Sequence, residues 1–399
     1  MLTALFFACR KQTARVLSWM KFFEIVKPMI RFSNMRFRVG SYLNRRAKCL
    51  CRLSVAWLLI SAGFGSVAWS ETDPQVSSDK PLLIKAVVVT MFEHGAPTGD
   101  RPGEMQLWVE RYPFSQSLPF DGGVRPLWYS DDGVLLTCTG GGIANATASI
   151  LALGVDARFD LSNAYWVIAG IAGGDPLDVS LGSAVWARQV VDGDLAYEID
   201  AREIPDDWPY GLLPLGATRP VRPGEPIGDG WSVDTVSFQL NETLVTRIYD
   251  ATKDIPLPVS DSASEQGALY EGYPRAQEPP RVRLGDTLAA STYWHGEKLN
   301  EWANDWVVVQ SDASKNFMTS NMEDSGTLTA IRRLDQMGRA DLDRVLVLRT
   351  VSNFTMPPPG KSAAWSATSP YPDAGLQAIE AAYIVGRAAV KTLLQDRVD

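Results

Sequence analysis

Runs of apolar, largely β-branched residues alternate with helical segments in the part of the chain that follows residue 80. The runs are LLIKAVVVTMF (82–92), GVLLTCT (133–139), AYWVIAGIAGG (164–174) and RVLVLRTVSNF (344–354). A strand that is apolar at nearly every position is typical of a sheet covered on both faces. Helical segments between such strands therefore predict an α/β fold with helices layered on a central sheet.

A glycine-rich turn, CTGGGIANATASILALG (138–154), joins one of these strands to an alanine-rich helix. Glycine is needed where φ is positive or where another group approaches the backbone closely. The free N–H groups at the start of the following helix can bind an anion or a polar ligand. The same pattern is also ordinary strand–turn–helix chemistry, so the turn alone leaves a ligand role open.

Residues 193–285 interrupt the alternation and are rich in Pro, Gly, Asp and Trp. Only NETLVTRIYDAT (241–252) is predicted as a helix there, with Asn241 as its N-cap. The segment keeps its aromatic residues, which predicts an ordered excursion built onto the core. The elements predicted after it are the strand GDTLAASTYWHG (285–296) and the helices EKLNEWANDW (297–306), MEDSGTLTAIRRLDQMG (322–338) and GLQAIEAAYIVGRAAVKTLLQD (375–396).

The first 70 residues carry 12 of the 38 Lys and Arg but only one of the 46 Asp and Glu. A basic region is followed by the apolar LSVAWLLISAGFGSVAWS, which predicts a signal peptide over 35–70, cleaved after Ala68 or Ser70. A membrane anchor is the alternative, because 18 uncharged residues reach the lower limit of a span. Residues 1–34 are then an upstream extension, and 71–80 a polar linker.

We therefore expect an exported protein, periplasmic or extracellular. The chain after residue 70 is strongly acidic, which argues against nucleic acid and anionic lipid as partners. Cys138 is the only cysteine beyond the predicted cleavage site, so the mature chain cannot form an internal disulfide. No second long apolar run follows residue 70, and we do not expect this chain to form a membrane channel by itself.

The familiar motifs of metal and nucleophile chemistry are missing from the sequence. His94 and His295 are the only histidines, and HExxH, G-x-S-x-G and P-loop patterns do not occur. We expect no metal and no cofactor, and we expect any chemistry to use carboxylates, amides, aromatic rings and the backbone. Polar residues that follow buried strands are the candidates, because α/β sheets bind ligands at that edge.

Four segments occur in a specific order: TGGGIANATASILALG, VIAGIAGGDPLDVSLGSAVWA, NMEDSGTLTAI and VLRTVSNF. This set resembles the nucleoside phosphorylase and nucleosidase superfamily. With DLAYEIDAREIPDDWPYG added, the chain from Leu82 to its end resembles the purine nucleoside permease family within that superfamily. The resemblance implies a single three-layer α/β/α domain, 81–399, with a central mixed sheet that binds a purine nucleoside. It replaces the several domains that the length alone would suggest.

The resemblance also implies roles for single residues. Glu323 would bond the ribose hydroxyls, with Met322 against the sugar. Tyr293 and Trp294 would stack on the base. Glu93 would activate water, as the corresponding acid does in hydrolytic relatives. The other residues that the resemblance assigns to substrate binding are Gly140, Gly141, Asn145, Ala172, Gly173 and Ser352.

Two positions depart from the family patterns. Asn353 stands where the hydrolases have the catalytic Asp that protonates purine N7; an Asn supplies no proton but can hydrogen-bond to N7 or O6 of a 6-oxopurine. The strand VIAGIAGG lacks the Arg with which phosphorylases bind phosphate, so Arg275 or Arg281 would have to rebuild that site.

Three functions stay open, and whether the protein is an enzyme stays open with them. We favour purine nucleoside recognition that serves uptake, with N-glycosidic cleavage as an optional addition. The alternatives are a purine nucleosidase that uses Glu93 and Asn353 and, less favoured, a nucleoside phosphorylase. A membrane transport component and a second copy of the chain are the further partners to consider.

Overall fold

The computed structural model describes residues 80–228, 231–312 and 314–395, which belong to one compact unit. The predicted extension (1–34), the signal peptide (35–70) and residues 71–79 of the linker lie outside the described residues. The strands are β1 Leu82–Leu83, β2 Ala86–Thr90, β3 Phe114–Leu118, β4 Leu127–Ser130, β5 Val134–Cys138, β6 Phe159–Asp160, β7 Tyr165–Gly174, β8 Ala184–Asp192, β9 Ala196–Glu198, β10 Leu212–Pro214, β11 Ser237–Gln239, β12 Val282–Ala289, β13 Phe317–Asn321 and β14 Val345–Phe354.

The helices between and after these strands are mostly three turns or longer. The α-helices are α1 Gln106–Arg111, α2 Ile143–Gly154, α3 Glu242–Thr252, α4 Asp261–Ala268, α5 Glu297–Val309, α6 Asp324–Gln336, α7 Ala363–Thr368 and α8 Leu376–Gln395. Short 3₁₀ helices span Pro274–Gln277, Leu342–Arg344 and Pro372–Gly375.

Ten of the described strands form one mixed sheet in the order β11-β8-β12-β13-β7-β2-β5-β4-β3, with β14 paired to both β7 and β8. β14 runs parallel to β7, with Val345 opposite Trp166, and antiparallel to β8, with Leu348 opposite Trp186. Since β8, β12, β13 and β7 are consecutive neighbours, the double pairing of β14 closes these five strands into a ring. The predicted central mixed sheet is confirmed; its closure has no counterpart in the sequence prediction.

Two adjacent side chains of β14 show that helices cover both faces of the sheet. Arg349 donates to the carboxylate of Asp324 in α6, and Thr350 donates to the carbonyl oxygen of Ala378 in α8 at 2.8 Å. Successive side chains of a strand point to opposite faces, so α6 and α8 lie on opposite sides. Helix α2 packs on α6, whereas α1 and α3 pack on α8. The predicted three-layer α/β/α architecture is confirmed.

The apolar runs form the buried centre of the sheet. Every residue of β2, β5 and β14 is buried, as their continuous apolar sequences predict. The run 82–92 is interrupted, however: Leu82 and Leu83 are exposed in β1, which pairs with β6, and the buried strand begins only at Ala86. Leu82 and Leu83 therefore do not belong to the main sheet, which the chain joins at Ala86.

The described parts of the excursion, 193–228 and 231–285, contain more regular structure than the sequence predicts. Asn241 caps α3 as predicted, since its side chain accepts a hydrogen bond from the Leu244 N–H at 3.1 Å. The expectation of one helix is wrong, because Ser260 caps a second helix, α4, whose sequence DSASEQGA has little apolar patterning. The strand predicted at 285–296 ends at Ala289, and the remaining residues form a loop.

Candidate functional site

A cavity lies near the carboxyl ends of β2, β7, β13 and β14, with an empty volume of about 660 Å³ that is partly open to solvent. Concave sites of this kind, in which apolar walls carry a few convergent polar groups, are usual for small-molecule ligands. Its walls come from strand ends, from the loop after β12 and from the start of α6. The lining residues are Met91, Phe92, Glu104, Ile171, Ala172, Gly173, Thr292, Tyr293, Trp294, Ser320, Asn321, Met322, Glu323, Ser352, Asn353, Thr355 and Tyr371.

Asn353 reaches the cavity because β14 is irregular at its end. The register between β14 and β7 shifts between Val351 and Asn353. Both Ser352 and Asn353 line the cavity, although neighbouring strand residues normally face opposite sides. The Asn353 amide is fixed by its neighbours: Nδ2 donates to Tyr293 Oη at 3.0 Å and to the Phe354 carbonyl oxygen at 3.1 Å, and Oδ1 accepts from Ser352 Oγ at 3.0 Å.

Tyr293 and Trp294 form the wall contributed by the loop after β12. Tyr293 is 46% exposed, and Trp294 packs edge-on against Trp302 with ring centroids 5.7 Å apart. Tyr371, from the segment between β14 and α8, also lines the cavity. Its pKa is raised by burial and by its interaction and hydrogen bond with Tyr293. Sequence reasoning missed Tyr371 because it lies in an irregular Pro-containing segment rather than at a strand end.

The carboxylate of Glu323 joins the start of α6 to the glycine turn. Its Oε1 accepts from the Gly142 N–H at 3.2 Å, and its Oε2 accepts from the Met322 N–H at 3.2 Å. Gly140 and Gly142 have φ values of +83° and +90°, which favour glycine. The turn therefore presents a backbone N–H at the start of α2 to a carboxylate of the same chain.

The other turn residues lie behind that contact and do not line the cavity. Gly141 is adjacent to Glu323, since a Cβ at this glycine would lie 3.9 Å from Oε1. Asn145 is exposed, and its side chain donates to the Gly141 carbonyl oxygen at 2.7 Å. In this structure Gly140, Gly141 and Asn145 shape the support of Glu323, whereas Ala172 and Gly173 form part of the wall itself.

A buried ion pair lies next to Glu323 at the cavity. Arg349 is 1% exposed and donates to Asp324 through Nε at 3.0 Å and to Glu323 Oε2 through Nη2 at 3.3 Å. Burial disfavours the charge of Arg349, but the carboxylates of Asp324 and Glu323 raise its pKa well above the usual range. Arg349 thus stays cationic and holds both acids in place. Sequence reasoning named its segment without identifying the pair, which depends on a contact between β14 and α6.

Glu104 is a buried acid that also lines the cavity. Its carboxylate accepts from the Ile171 N–H and the Met91 N–H, both at 2.7 Å. Burial raises the pKa of Glu104 to about 8, with Arg349 acting against the shift and Glu323 adding to it. The sequence analysis did not find this residue, since it precedes α1 in a loop and follows no apolar strand.

Glu93, to which the resemblance assigns the activation of water, is bonded to backbone N–H groups. It does not line the cavity; its carboxylate accepts from the Gly103 and Gln106 N–H groups, both at 2.6 Å, and from the His94 N–H at 2.9 Å. These bonds tie the loop after β2 to the start of α1. The acid that the fold brings to the cavity is Glu104, whereas Glu93 holds the loop that carries it.

The two arginines considered for a phosphate site do not reach the cavity. Arg275 pairs with Glu278 at 2.8 Å, and neither Arg275 nor Arg281 lines the cavity.

Across 80–228, 231–312 and 314–395, no cluster of three or more His, Cys, Asp or Glu could hold a metal ion. Within the same ranges, no helix is both long and apolar enough to cross a membrane.

Comparison with known proteins gives a consistent family. The family model described as purine nucleoside permease (NUP) matches residues 83–398. A purine nucleoside permease of Candida albicans is 28% identical over 301 residues, which are 72% of this chain and 70% of that protein. A probable purine nucleoside permease of Schizosaccharomyces pombe is 31% identical over 220 residues, 54% of this chain and 63% of that protein.

Among solved structures, this chain is similar to a 5′-methylthioadenosine/S-adenosylhomocysteine nucleosidase from Colwellia psychrerythraea in complex with adenine. The TM-score is 0.45 at 17% identity, with 78% of this chain and 95% of that chain covered.

Proposed function

The chain belongs to the purine nucleoside permease family, and from this membership we propose that it binds a purine nucleoside in the cavity described above and serves nucleoside uptake. One observation carries the proposal. Asn353 and Glu323 face one cavity, which offers an amide to the base and a carboxylate to the sugar hydroxyls. A few placed polar groups in an otherwise apolar cleft are the usual means of orienting a small ligand.

Glu323 is suited to the ribose because its carboxylate is already oriented. The Gly142 and Met322 N–H groups and Arg349 each hold one of its oxygens, and a carboxylate has further lone pairs that can accept from hydroxyl groups. Hydrogen bonds to a charged acceptor are about twice as strong as neutral ones. Met322, Ala172 and Gly173 add the apolar wall against which the sugar would pack.

Calorimetric titration of the purified protein with adenosine, inosine and uridine tests the proposal. We expect binding of purine nucleosides, weaker binding of uridine, and loss of nucleoside affinity in Glu323→Ala. Glu225→Ala is the matched control, because Glu225 pairs with Arg219 on the surface away from the cavity. Absence of purine nucleoside binding, or equal losses in the two variants, would refute the assignment.

Hydrolysis of the N-glycosidic bond is a second candidate, and the position of Glu104 favours it. An ionised Glu104 could take a proton from water while the water oxygen attacks C1′, and the bonding electrons would leave with the base. Both amide hydrogens of Asn353 are already donated, to Tyr293 and to the Phe354 carbonyl oxygen, and an amide supplies no proton. The base would therefore leave as an anion and take its proton from water, so turnover would be slow. An assay of nucleobase release that compares Glu104→Gln with Glu93→Gln identifies the carboxylate that deprotonates the water. We expect the activity to depend on Glu104.

Phosphorolysis has less support. A phosphate at the start of α2 would compete with Glu323 for the Gly142 N–H, and the described cavity lining contains no Lys or Arg. Assays of base release with and without phosphate distinguish the two reactions. Release that strictly requires phosphate would favour a phosphorylase over both other functions.

Export and partnership are proposed on the sequence alone. The acidic chain after residue 70 and the signal-like segment 35–70 support cleavage after Ala68 or Ser70 and action outside the cytoplasm. Uptake would then require a membrane transport component to which the protein delivers its ligand. N-terminal sequencing of the exported protein tests the cleavage: retention of residues 53–70 would contradict it.

A further inference from the structure

Both amide hydrogens of Asn353 are committed within the protein. One is donated to the Phe354 carbonyl oxygen at 3.1 Å and the other to Tyr293 Oη at 3.0 Å. The carbonyl oxygen is an obligate acceptor, so it must face the nitrogen of the amide and not its oxygen. This contact fixes the orientation of the amide without reference to any ligand.

The remaining hydrogen-bonding capacity of Asn353 is therefore that of an acceptor. Its Oδ1 has two lone pairs and accepts one bond, from Ser352 Oγ at 3.0 Å. The same Ser352 Oγ lies 3.2 Å from the Ala172 carbonyl oxygen, to which its hydrogen can also be donated. Asn353 is 8% exposed and lines the cavity. Asn353 Oδ1 can therefore accept one further hydrogen bond, from a ligand in the cavity.

Tyr293 is held in turn by Tyr371. The phenol of Tyr371 interacts with that of Tyr293, and both line the cavity. Two residues beyond Tyr371, Asp373 has a φ of +48°, a left-handed conformation that is costly for a residue other than glycine. The amide hydrogens of Asn353 are thus kept occupied by Tyr293 and the Phe354 carbonyl oxygen, and Tyr371 lies against Tyr293 at the cavity.

We propose that these hydrogen bonds of Asn353 make the site select 6-aminopurine nucleosides over 6-oxopurine nucleosides. The inference rests on the proposed function, with the N7/C6 edge of the base at Asn353. An exocyclic 6-amino group donates to the free lone pair of Oδ1. A 6-oxopurine instead brings two acceptors, O6 and N7, against an acceptor.

To serve a 6-oxopurine, Asn353 would have to release Tyr293 or leave the Phe354 carbonyl oxygen without a donor. Loss of one such bond in a buried site corresponds to roughly ten- to a hundredfold in affinity. The family resemblance implied the opposite role for Asn353, a hydrogen bond to N7 or O6 of a 6-oxopurine. The sequence does not show that neighbouring groups already accept both amide hydrogens.

Titrations with adenosine, inosine and purine riboside, which lacks a 6-substituent, test the inference. In the unmodified protein we expect adenosine to bind at least tenfold more tightly than inosine, with purine riboside between them. Tyr293→Phe frees one amide hydrogen, so the adenosine-to-inosine affinity ratio should fall to about one or invert. The ratio is the readout, because loss of the hydroxyl group also changes the affinity for every ligand.

Tyr371→Phe leaves the Tyr293–Asn353 bond in place and should reduce the ratio less than Tyr293→Phe does. Tyr273→Phe, whose ring packs on Tyr270 outside the cavity lining, is the control and should leave the ratio unchanged. Inosine binding as tightly as adenosine, or a ratio that Tyr293→Phe does not change, would overturn the selectivity while nucleoside binding stands. Failure of all three nucleosides to bind would overturn the proposed function itself.

Discussion

The Oε1 atom of Glu323 lies 3.2 Å from the backbone nitrogen of Gly142, although the two residues are 181 positions apart in the chain. A glycine turn at the start of a helix can bind an external anion. Here a carboxylate of the chain takes that position, and the turn in exchange orients the group that we assign to the sugar. Because Glu323 already accepts from the Gly142 N–H, this position favours binding of sugar hydroxyl groups over binding of an external anion.

Glu323 should therefore distinguish a nucleoside from its free base. We expect Glu323→Ala to weaken nucleoside binding by about 1.5–3 kcal/mol, the range for hydrogen bonds to charged groups. Binding of the free base should change far less, because it has no hydroxyl groups to bond. Parallel titrations with adenosine and adenine measure both, and equal losses would show that Glu323 does not contact the sugar.

Asn353→Asp should convert a binder into a better hydrolase. A carboxylic acid in this buried position, next to the Phe354 carbonyl oxygen, is favoured in its protonated form and can protonate the leaving base. General acid catalysis of this kind is typically worth about 10²–10⁴-fold in rate. Adding Glu104→Gln should remove the gain. Fast hydrolysis by the unmodified protein that Asn353→Asp leaves unchanged would exclude this role.

The stability of the protein should depend on pH through Glu104. Burial raises its pKa to about 8 from the ordinary value of 4.5, so between these values the folded state binds more protons than the unfolded state. The stabilisation is complete below pH 4.5 and is lost as pH rises through 8, by up to about 1.4 kcal/mol per pH unit. Urea unfolding from pH 5 to 8 should show a shallower decline for Glu104→Gln; an unchanged slope would contradict the assignment.

The ion pair beneath the site should be a major determinant of stability. Arg349→Met leaves the carboxylates of Asp324 and Glu323 buried without their cation, and breaking such a pair typically costs about 3–5 kcal/mol. Arg202→Met is the control, because its pair with Asp200 is exposed to solvent and should contribute little to stability. Similar free energies of unfolding for the two variants would refute the prediction.

Close packing of α2 on α6 should depend on Gly326. A Cβ at this position would collide with the Ile143 carbonyl oxygen and the Thr147 hydroxyl group. We expect Gly326→Ala to destabilise the fold by about 1–3 kcal/mol, as overpacking does. Gly141→Ala, which has no heavy atom nearer than 3.9 Å to its Cβ, should change the free energy of unfolding little. A tolerated Gly326→Ala would show that the helices can separate without cost.

Much of the fold could be predicted because local patterns are decisive where burial is complete. The apolar runs at 134–138 and 345–354 became fully buried strands, and Asn241 became the cap of α3. Helix α4 was missed since its eight residues carry little apolar periodicity and depend on the Ser260 cap and on packing. The closure of the sheet through β14 could not be predicted either, because the composition of a strand does not show which strands it pairs with.

The sequence by itself determined the family, the layered α/β class and the short segments from which most of the cavity is built, because each of these follows from composition and order along the chain. Only the tertiary structure decided which atoms of those segments are available. The bulge in β14 turns both Ser352 and Asn353 into the cavity, and it arises from pairing with β7. Glu93 and Glu104 are both acids near one loop, but backbone N–H groups surround Glu93, whereas the fold buries Glu104 at the cavity. Hydrogen-bond partners and burial depend on residues that are distant in sequence, and they set the chemistry of each group.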